Sequence, residues 1–459
     1  VSRLKYIEPF VMLVTLAQWL VLATITGVIV GTGTSLFLHG LSIATGESAH
    51  IPLWVQMILL PAGGLVNGLI LYYGYRHASG KKDSVIAAVH EQAGDMPYKT
   101  FFIKPVAALV TLGTGGSAGK EGPCAHIGGT LASLFGRLTG LSPEMRKWIV
   151  ACGVSAGFSS VFGTPIAGAI YGIEVLTIGR LRHDFLFPAV IAGVVSFEVS
   201  KFWGIRYPNY ILEQLFVFSG DLFIKILLIG VVCGLVSWLF IELLEQTRAL
   251  FGRIQRTRRL WPPLVPLLGG LVLSALILVI PTDYLGLSLP LMNRALAGEE
   301  IPYLAFFWKS LLVAITLGSG FYGGIATPQL VIGAVTGNVC ALLLGVDPAL
   351  GAATGMVAVL ASASNTPVAA IFMGFELFGS LNGIYAVSAC VTAYIIIGHR
   401  SVYPDQLVAY SKSLWMRLQT ETALEKQKIH ISYSVLKKLR RMQRSKYFRS
   451  GRRGRPKRR

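Results

Sequence analysis

The sequence predicts an all-α integral membrane protein made of two inverted repeats, with broken and re-entrant helices, and three observations predict it. The first is composition. Of 459 residues 53% are hydrophobic and only 14% are charged, with a mean hydropathy of +0.61. A soluble domain carries about 25% charged residues, so this chain has too little charge to cover a water-facing surface. The second is a duplication. Phe101–Gly128 returns 205 positions later as Phe306–Gly333, identical at 11 of 28 places. Phe-Phe-Ile-Lys becomes Phe-Phe-Trp-Lys, and Gly119 and Pro123 reappear as Gly324 and Pro328. Thr164-Pro165-Ile166-Ala167 with Glu174 is likewise echoed by Thr366-Pro367-Val368-Ala369 with Glu376. The third is punctuation: Gly and Pro interrupt apolar segments at matching places in both halves, which points to the binding site of a duplicated transporter fold.

Apolar segments run over 10–38, 53–73, 101–113, 147–158, 163–178, 187–203, 211–243, 262–281, 304–317, 325–345, 351–379 and 383–398. A simple spanning helix takes about 20 apolar residues, and several of these are too short. Backbone breaks at membrane depth only where it is buried in protein or lines a cavity, so short, punctuated segments imply broken helices around an internal polar site. Basic residues set the orientation. Arg3 and Lys5 precede the first segment, Arg76, Lys81 and Lys82 follow the second, and Arg248, Arg253, Arg256, Arg258 and Arg259 follow 211–243. Placing these inside makes the two halves opposite in direction and both termini cytoplasmic, in a multi-pass protein of the cell membrane. The divisions expected are repeat one at 1–205, inverted repeat two at 206–410, and a basic cytoplasmic tail at 411–459.

The net charge of +19 is uneven, with 13 lysines and arginines and no acid between Lys437 and Arg459. Such a tail suits anionic lipid headgroups; nucleic-acid binding is the weaker reading, and no nucleic-acid partner is expected. The five cysteines lie in apolar stretches without CxxC spacing, which indicates neither a disulfide framework nor a metal site. No cleavable signal peptide is read: Arg3, Lys5 and Glu8 lead straight into the first span.

Gly119-Lys120-Glu121-Gly122-Pro123 is the sharpest motif. Glycines let the backbone approach an ion, and Pro123 suits a first helical turn, where its missing N–H costs nothing. A helix start carries unpaired N–H groups and about half a positive charge. Inversion lets the starts at 119–123 and 324–328 converge on one point, forming an anion site without a full cation to trap the ion. Glu121 is an ionisable group deep in the membrane, which is costly and usually functional. A carboxylate and a bound halide compete for such a position, so protonation of Glu121 would open it; a plain helix-capping role is the alternative. Gly113–Ala118 and Gly318–Gly323 mimic a dinucleotide fingerprint, but neither sits in a strand–turn–helix unit, and Glu121 stands where a P-loop needs Ser or Thr. No nucleophile–base pair or metal-ligand spacing suggests an enzyme.

Gly-Lys-Glu-Gly-Pro at 119–123 resembles the G-[KR]-E-G-P signature of the CLC chloride channels and proton-coupled chloride transporters. Gly324-Ile325-Ala326-Thr327-Pro328 resembles the family's G-x-F-x-P. The resemblance spans about residues 10–410. It implies a CLC-type inverted-repeat fold, a homodimer with one pore per subunit, chloride as the transported ion with no cofactor, and a gating glutamate at Glu121. It implies anion-binding positions at Ser79, Gly80, Gly119, Lys120 and Gly122 in the first half, and at Gly324, Ile325, Ala326, Thr327 and Tyr403 in the second. For Tyr403 the plain alternative is an aromatic at the membrane–water boundary.

Four departures bear on mechanism. The family's first motif, G-S-G-I-P, falls on Ala78-Ser79-Gly80-Lys81-Lys82, which lacks the proline, so Ser79 is read either as an anion ligand or as a helix N-cap. Lys81 and Lys82 either draw anions inward or belong to a solvated loop. Ala326 replaces the phenylalanine of the third motif. Val175 occupies the place of the internal proton-relay glutamate of exchangers, which resembles the channels. Glu174, about 100° round the helix from it, is read with Glu376 as a pair of structural acids, and His126 as a satisfied packing residue. The tail is too short for the cytoplasmic domain pair of some relatives. The expectation is therefore a chloride channel gated by Glu121 protonation, with a proton-coupled chloride antiporter as the alternative, an ion-coupled solute symporter more remote, and fluoride specificity disfavoured by Gly122-Pro123.

Overall fold

Among the described residues, two long helices open the two halves, each followed by seven shorter ones. The computed structural model describes residues 4–46, 51–76, 84–208, 210, 216, 219–413, 415–427 and 430–431. Helix α1 (Leu4–Gly46) precedes α2 (Leu53–Arg76), α3 (Val85–Glu91), α4 (Thr100–Gly113), α5 (Glu121–Leu138), α6 (Pro143–Phe162), α7 (Pro165–Glu174) and α8 (Leu186–Phe202). The second half repeats the order with α9 (Gly220–Arg258), α10 (Leu264–Leu276), α11 (Leu289–Leu296), α12 (Ala305–Gly318), α13 (Ala326–Leu344), α14 (Pro348–Ala363), α15 (Pro367–Phe378) and α16 (Ser380–Ile396).

Within each half the packing is the same: α5 lies on α6 as α13 lies on α14, and α1 on α8 as α9 on α16. Between halves, equivalent helices meet each other: α2 with α10, α5 with α13, α7 with α15. Contact between equivalents is what a local two-fold axis produces. Among the described residues, five helices are long and apolar enough to cross a bilayer, from Ile7–Gly46 to Ala326–Leu344. Their lipid-side character shows in α1, where Phe10, Met12, Leu13 and Val21 stand exposed. Helices α5, α13 and α14 are instead almost wholly buried, and buried helices carry the site.

The elements differ from the sequence reading where hydropathy misleads. Helix α5 falls in none of the apolar segments, because Glu121, His126 and its glycines lower hydropathy in a helix solvated by protein rather than lipid. The segment 351–379 divides into α14 and α15 at Asn365-Thr366-Pro367: Asn365 takes a positive φ of 56°, and Pro367 begins the next helix at its first position. Helix α9 begins at Gly220, where Ser219 accepts a hydrogen bond from the Leu222 N–H. After α16 the chain turns back on itself. Strand β2 (Leu407–Val408) pairs with β1 (Thr177–Ile178), which follows α7, and with β4 (Thr422–Ala423); β3 (Met416–Arg417) pairs with β5 (His430–Ile431). Ser79, Gly80, Lys81, Lys82 and the basic run 437–459 lie outside the described residues.

Candidate anion site at the two-fold axis

The duplicated glycines meet. Gly119 N–H donates to the Gly324 carbonyl at 2.7 Å, and Gly324 N–H donates back to the Gly119 carbonyl at 2.7 Å. This reciprocal bridge between equivalent residues fixes the starts of α5 and α13 against one another. Only glycine permits it: a Cβ on Gly324 would sit 2.7 Å from the Gly122 nitrogen, and one on Gly119 would sit 2.6 Å from Glu121 Oε2.

Into this junction Glu121 folds across the axis. It is the first residue of α5, 2% exposed, yet its carboxylate belongs to the other half. Oε2 accepts the Thr327 N–H at 2.9 Å, and Oε1 accepts the Thr327 hydroxyl. A helix start offers free N–H groups and positive potential, and a carboxylate now occupies the start of α13. Above this point opens a cavity of about 500 Å³ whose walls include Glu121, Thr327, Lys120, Arg206 and His39, so the buried carboxylate lines an accessible space rather than facing lipid.

The other predicted residues separate into groups. Gly122 packs over Gly324, and Ile325 and Ala326, 7% and 1% exposed, form the entry to α13. Tyr403 is half-buried and belongs to a separate set of hydrogen bonds. Its hydroxyl is 3.2 Å from the Tyr171 hydroxyl, which donates to Ser364 Oγ at 2.9 Å; Ser364 in turn donates to Gln329 Oε1 at 2.7 Å. Gln329 lies two residues beyond Thr327, so this chain of hydroxyls ends on the helix that holds Glu121. Sequence reasoning missed Tyr171, Ser364 and Gln329, which carry no motif of their own. Val175 is buried, its carbonyl accepting from Gln406 Nε2 at 2.8 Å.

Glu174 and Glu376 lie elsewhere, on the α7–α15 pair, and cap each other's halves. Glu174 accepts the N–H groups of Val368 and Ala369 at 3.0 and 2.8 Å; Glu376 accepts those of Ile166 and Ala167 at 3.0 and 2.9 Å. Each acid closes the first turn of the opposite helix, a structural use of charge. His126 is buried with Nε2 2.9 Å from Thr100 Oγ1.

A membrane fold of two like halves, joined where a buried carboxylate of one half accepts from a helix start of the other, is the architecture of a duplicated transport protein. The chain belongs to the family described as voltage gated chloride channel, which it matches over residues 62–398. It is 33% identical over 420 residues, 90% of this chain and 91% of the relative, to a "Chloride/fluoride channel protein" of Pseudomonas syringae pv. tomato. It is 30% identical to a "Putative chloride channel protein ClcB-like" of Ralstonia nicotianae, across 80% of this chain and 88% of that one. Among solved structures, one described as a CLC-type fluoride/proton antiporter superposes with a TM-score of 0.79 at 31% identity, covering 86% of this chain and 98% of the other. A slow cyanobacterial chloride/proton antiporter, at 22% identity and a TM-score of 0.69, shares the fold. The protein is thus a membrane protein of an anion-transporting family.

Proposed function

We propose that this protein carries halide through the junction of α5 and α13, with Glu121 as the protonatable gate. One observation carries the reading: the Glu121 carboxylate holds both donors of Thr327 at a helix start. Moving a bare anion into low dielectric costs tens of kcal/mol in the idealised limit, so a halide there needs these donors. While Glu121 is ionised it occupies them. Protonation removes its charge, weakens its hold, and leaves the Thr327 N–H and O–H to the incoming ion. Gly119, Gly122 and Gly324 allow close backbone approach, Ile325 and Ala326 supply further amides, Lys120 attracts anions at the cavity wall, and Tyr403, Ser79 and Gly80 are the further anion-binding positions that the family resemblance implies. The protein works as a homodimer with a pore in each subunit, with both termini cytoplasmic and the basic tail against anionic lipid. In liposomes, Glu121→Gln should pass chloride at a rate that no longer follows pH; an unchanged pH profile contradicts the gate.

Val175 favours passive conduction, since valine cannot relay a proton. Exchange of halide for protons, with fluoride among its substrates, is favoured by a different observation: relatives at 31% and 33% identity bear fluoride in their names, and the solved one is described as an antiporter. Glu121 alone would then ferry the proton as it leaves and re-enters the Thr327 site. A halide gradient that drives protons uphill in liposomes, measured with chloride and with fluoride, identifies exchange and its ion. Halide flux without proton movement identifies conduction.

A further inference from the structure

Lys309 is fully buried in α12, and Nζ donates to Ser117 Oγ at 2.8 Å, Ser288 Oγ at 2.8 Å, the Gly286 carbonyl at 2.9 Å and the Tyr284 carbonyl at 3.2 Å. The hydrogens of both serines are already committed: Ser117 Oγ donates to the Tyr284 carbonyl and Ser288 Oγ to the Leu285 carbonyl. All four atoms facing Nζ are therefore acceptors. A neutral amine would turn a lone pair toward one of them, whereas an ammonium has three hydrogens and no lone pair. The surroundings select the charged form.

No carboxylate compensates it among the described residues. Helices α10 and α13, packed on α12, contain no acidic or basic side chain. From α9 come Glu242, bound to Arg400, and the exposed Glu245 and Arg248. The 282–284 turn brings Asp283, exposed and 4.0 Å from Arg294, and the Tyr284 phenol. An unpaired charge at membrane depth is costly and marks function. Ser117, which Lys309 grips, lies four residues before Glu121, a reach of about 14 Å at most.

We propose that Lys309 is a fixed, uncompensated cation that sets how strongly the α5–α13 junction holds anions, both halide and the Glu121 carboxylate. The idea rests on the site assigned above. At an effective dielectric of about 20, unit charges about 12–17 Å apart attract by an amount worth about five- to tenfold in affinity.

The test is chloride and fluoride binding by calorimetry, with flux against pH in liposomes, for Lys309→Met, Lys309→Arg and Ser288→Asp. Ser288→Asp keeps the lysine and cancels its charge, and so serves if Lys309→Met does not fold. Lys309→Met and Ser288→Asp should each weaken halide binding about five- to tenfold; Lys309→Arg should restore most of it. Halide binding unmoved by Ser288→Asp would overturn the proposal and leave Lys309 a structural pin. Failure of the gate is distinguishable, because it appears as a wild-type pH profile in Glu121→Gln. In that background Lys309→Met should still weaken halide binding.

Discussion

The two halves share a backbone plan but divide the chemistry unequally, and the division is sharpest at equivalent positions. Repeat one places Glu121 at the first position of α5; repeat two places Ala326 at the first position of α13. One half supplies the carboxylate and the other the vacant helix start that receives it. Lys104 and Lys309 are likewise equivalent, yet Lys104 lies 5.3 Å from the centre of the Tyr322 ring, whereas Lys309 is sealed among neutral acceptors. At α7 and α15 the division disappears: Glu174 and Glu376 do the same work for each other's halves. Symmetry kept by backbone and capping acids, and broken by Glu121, distinguishes what holds the halves together from what the junction does.

That comparison can be broken in several ways. The largest effect is expected from Gly324→Ala, whose Cβ would enter 2.7 Å from the Gly122 nitrogen. Neither backbone can yield while the reciprocal bridge holds, so a loss of about 3 kcal/mol should appear as a lower thermal midpoint in detergent, and a wild-type midpoint would show the bridge to be dispensable. Next come the capping acids. A hydrogen bond to a charged group is worth about 1.5–3 kcal/mol, and an amide cannot accept two N–H groups with both terminal atoms. Glu174→Gln, at a buried site, should cost about 2–3 kcal/mol, and the more exposed Glu376→Gln about 1. Equal costs would remove burial as the cause.

Thr327→Val sharpens the functional asymmetry: it deletes the hydroxyl donor to Glu121 but keeps the N–H. In the Glu121→Gln background, halide binding should weaken several-fold as the hydroxyl donor is lost, with the fold intact by thermal unfolding. The smallest effect concerns the returning segment. The Lys412 N–H donates to His399 Nε2 at 2.8 Å, which requires a neutral ring. Burial, with the Lys412 ammonium nearby, pushes the His399 pKa down to about 4. With a folded pKa below its unfolded value near 6.5, the contact is complete above about pH 6.5 and weakens as pH falls toward 4. Amide exchange in 406–424, corrected for intrinsic rates, should rise between pH 6.5 and 4.5 and stay flat in His399→Gln.

Much of this was legible in the sequence because the duplication printed it twice. The glycines at 119 and 324, the Thr-Pro starts of α7 and α15, and the paired glutamates all stood at matching offsets, and each offset became a contact across the axis. The register of Glu121 on Thr327 was not legible. A motif says that a carboxylate sits at a helix start, but not that it folds over onto the opposite helix; Gly119, lacking a side chain, makes the room. Hydropathy missed α5 because a helix buried in protein can be as polar as its partners allow. The Tyr403–Tyr171–Ser364–Gln329 chain joins residues of four separate segments, and of these only Tyr403 was anticipated, since Tyr171, Ser364 and Gln329 carry no local signature. Lys309 was visible only as an echo in Phe-Phe-x-Lys, and its acceptors come from turns that sequence spacing does not align.

The most direct test is to locate the anion itself, by anomalous diffraction from Glu121→Gln crystals grown in bromide. Bromide should lie within hydrogen-bonding distance of the Thr327 N–H and hydroxyl, in the place the wild-type carboxylate fills, and should be absent there in wild-type protein at neutral pH. Bromide bound at that place in both proteins, or in neither, would contradict competition between Glu121 and halide for one helix start.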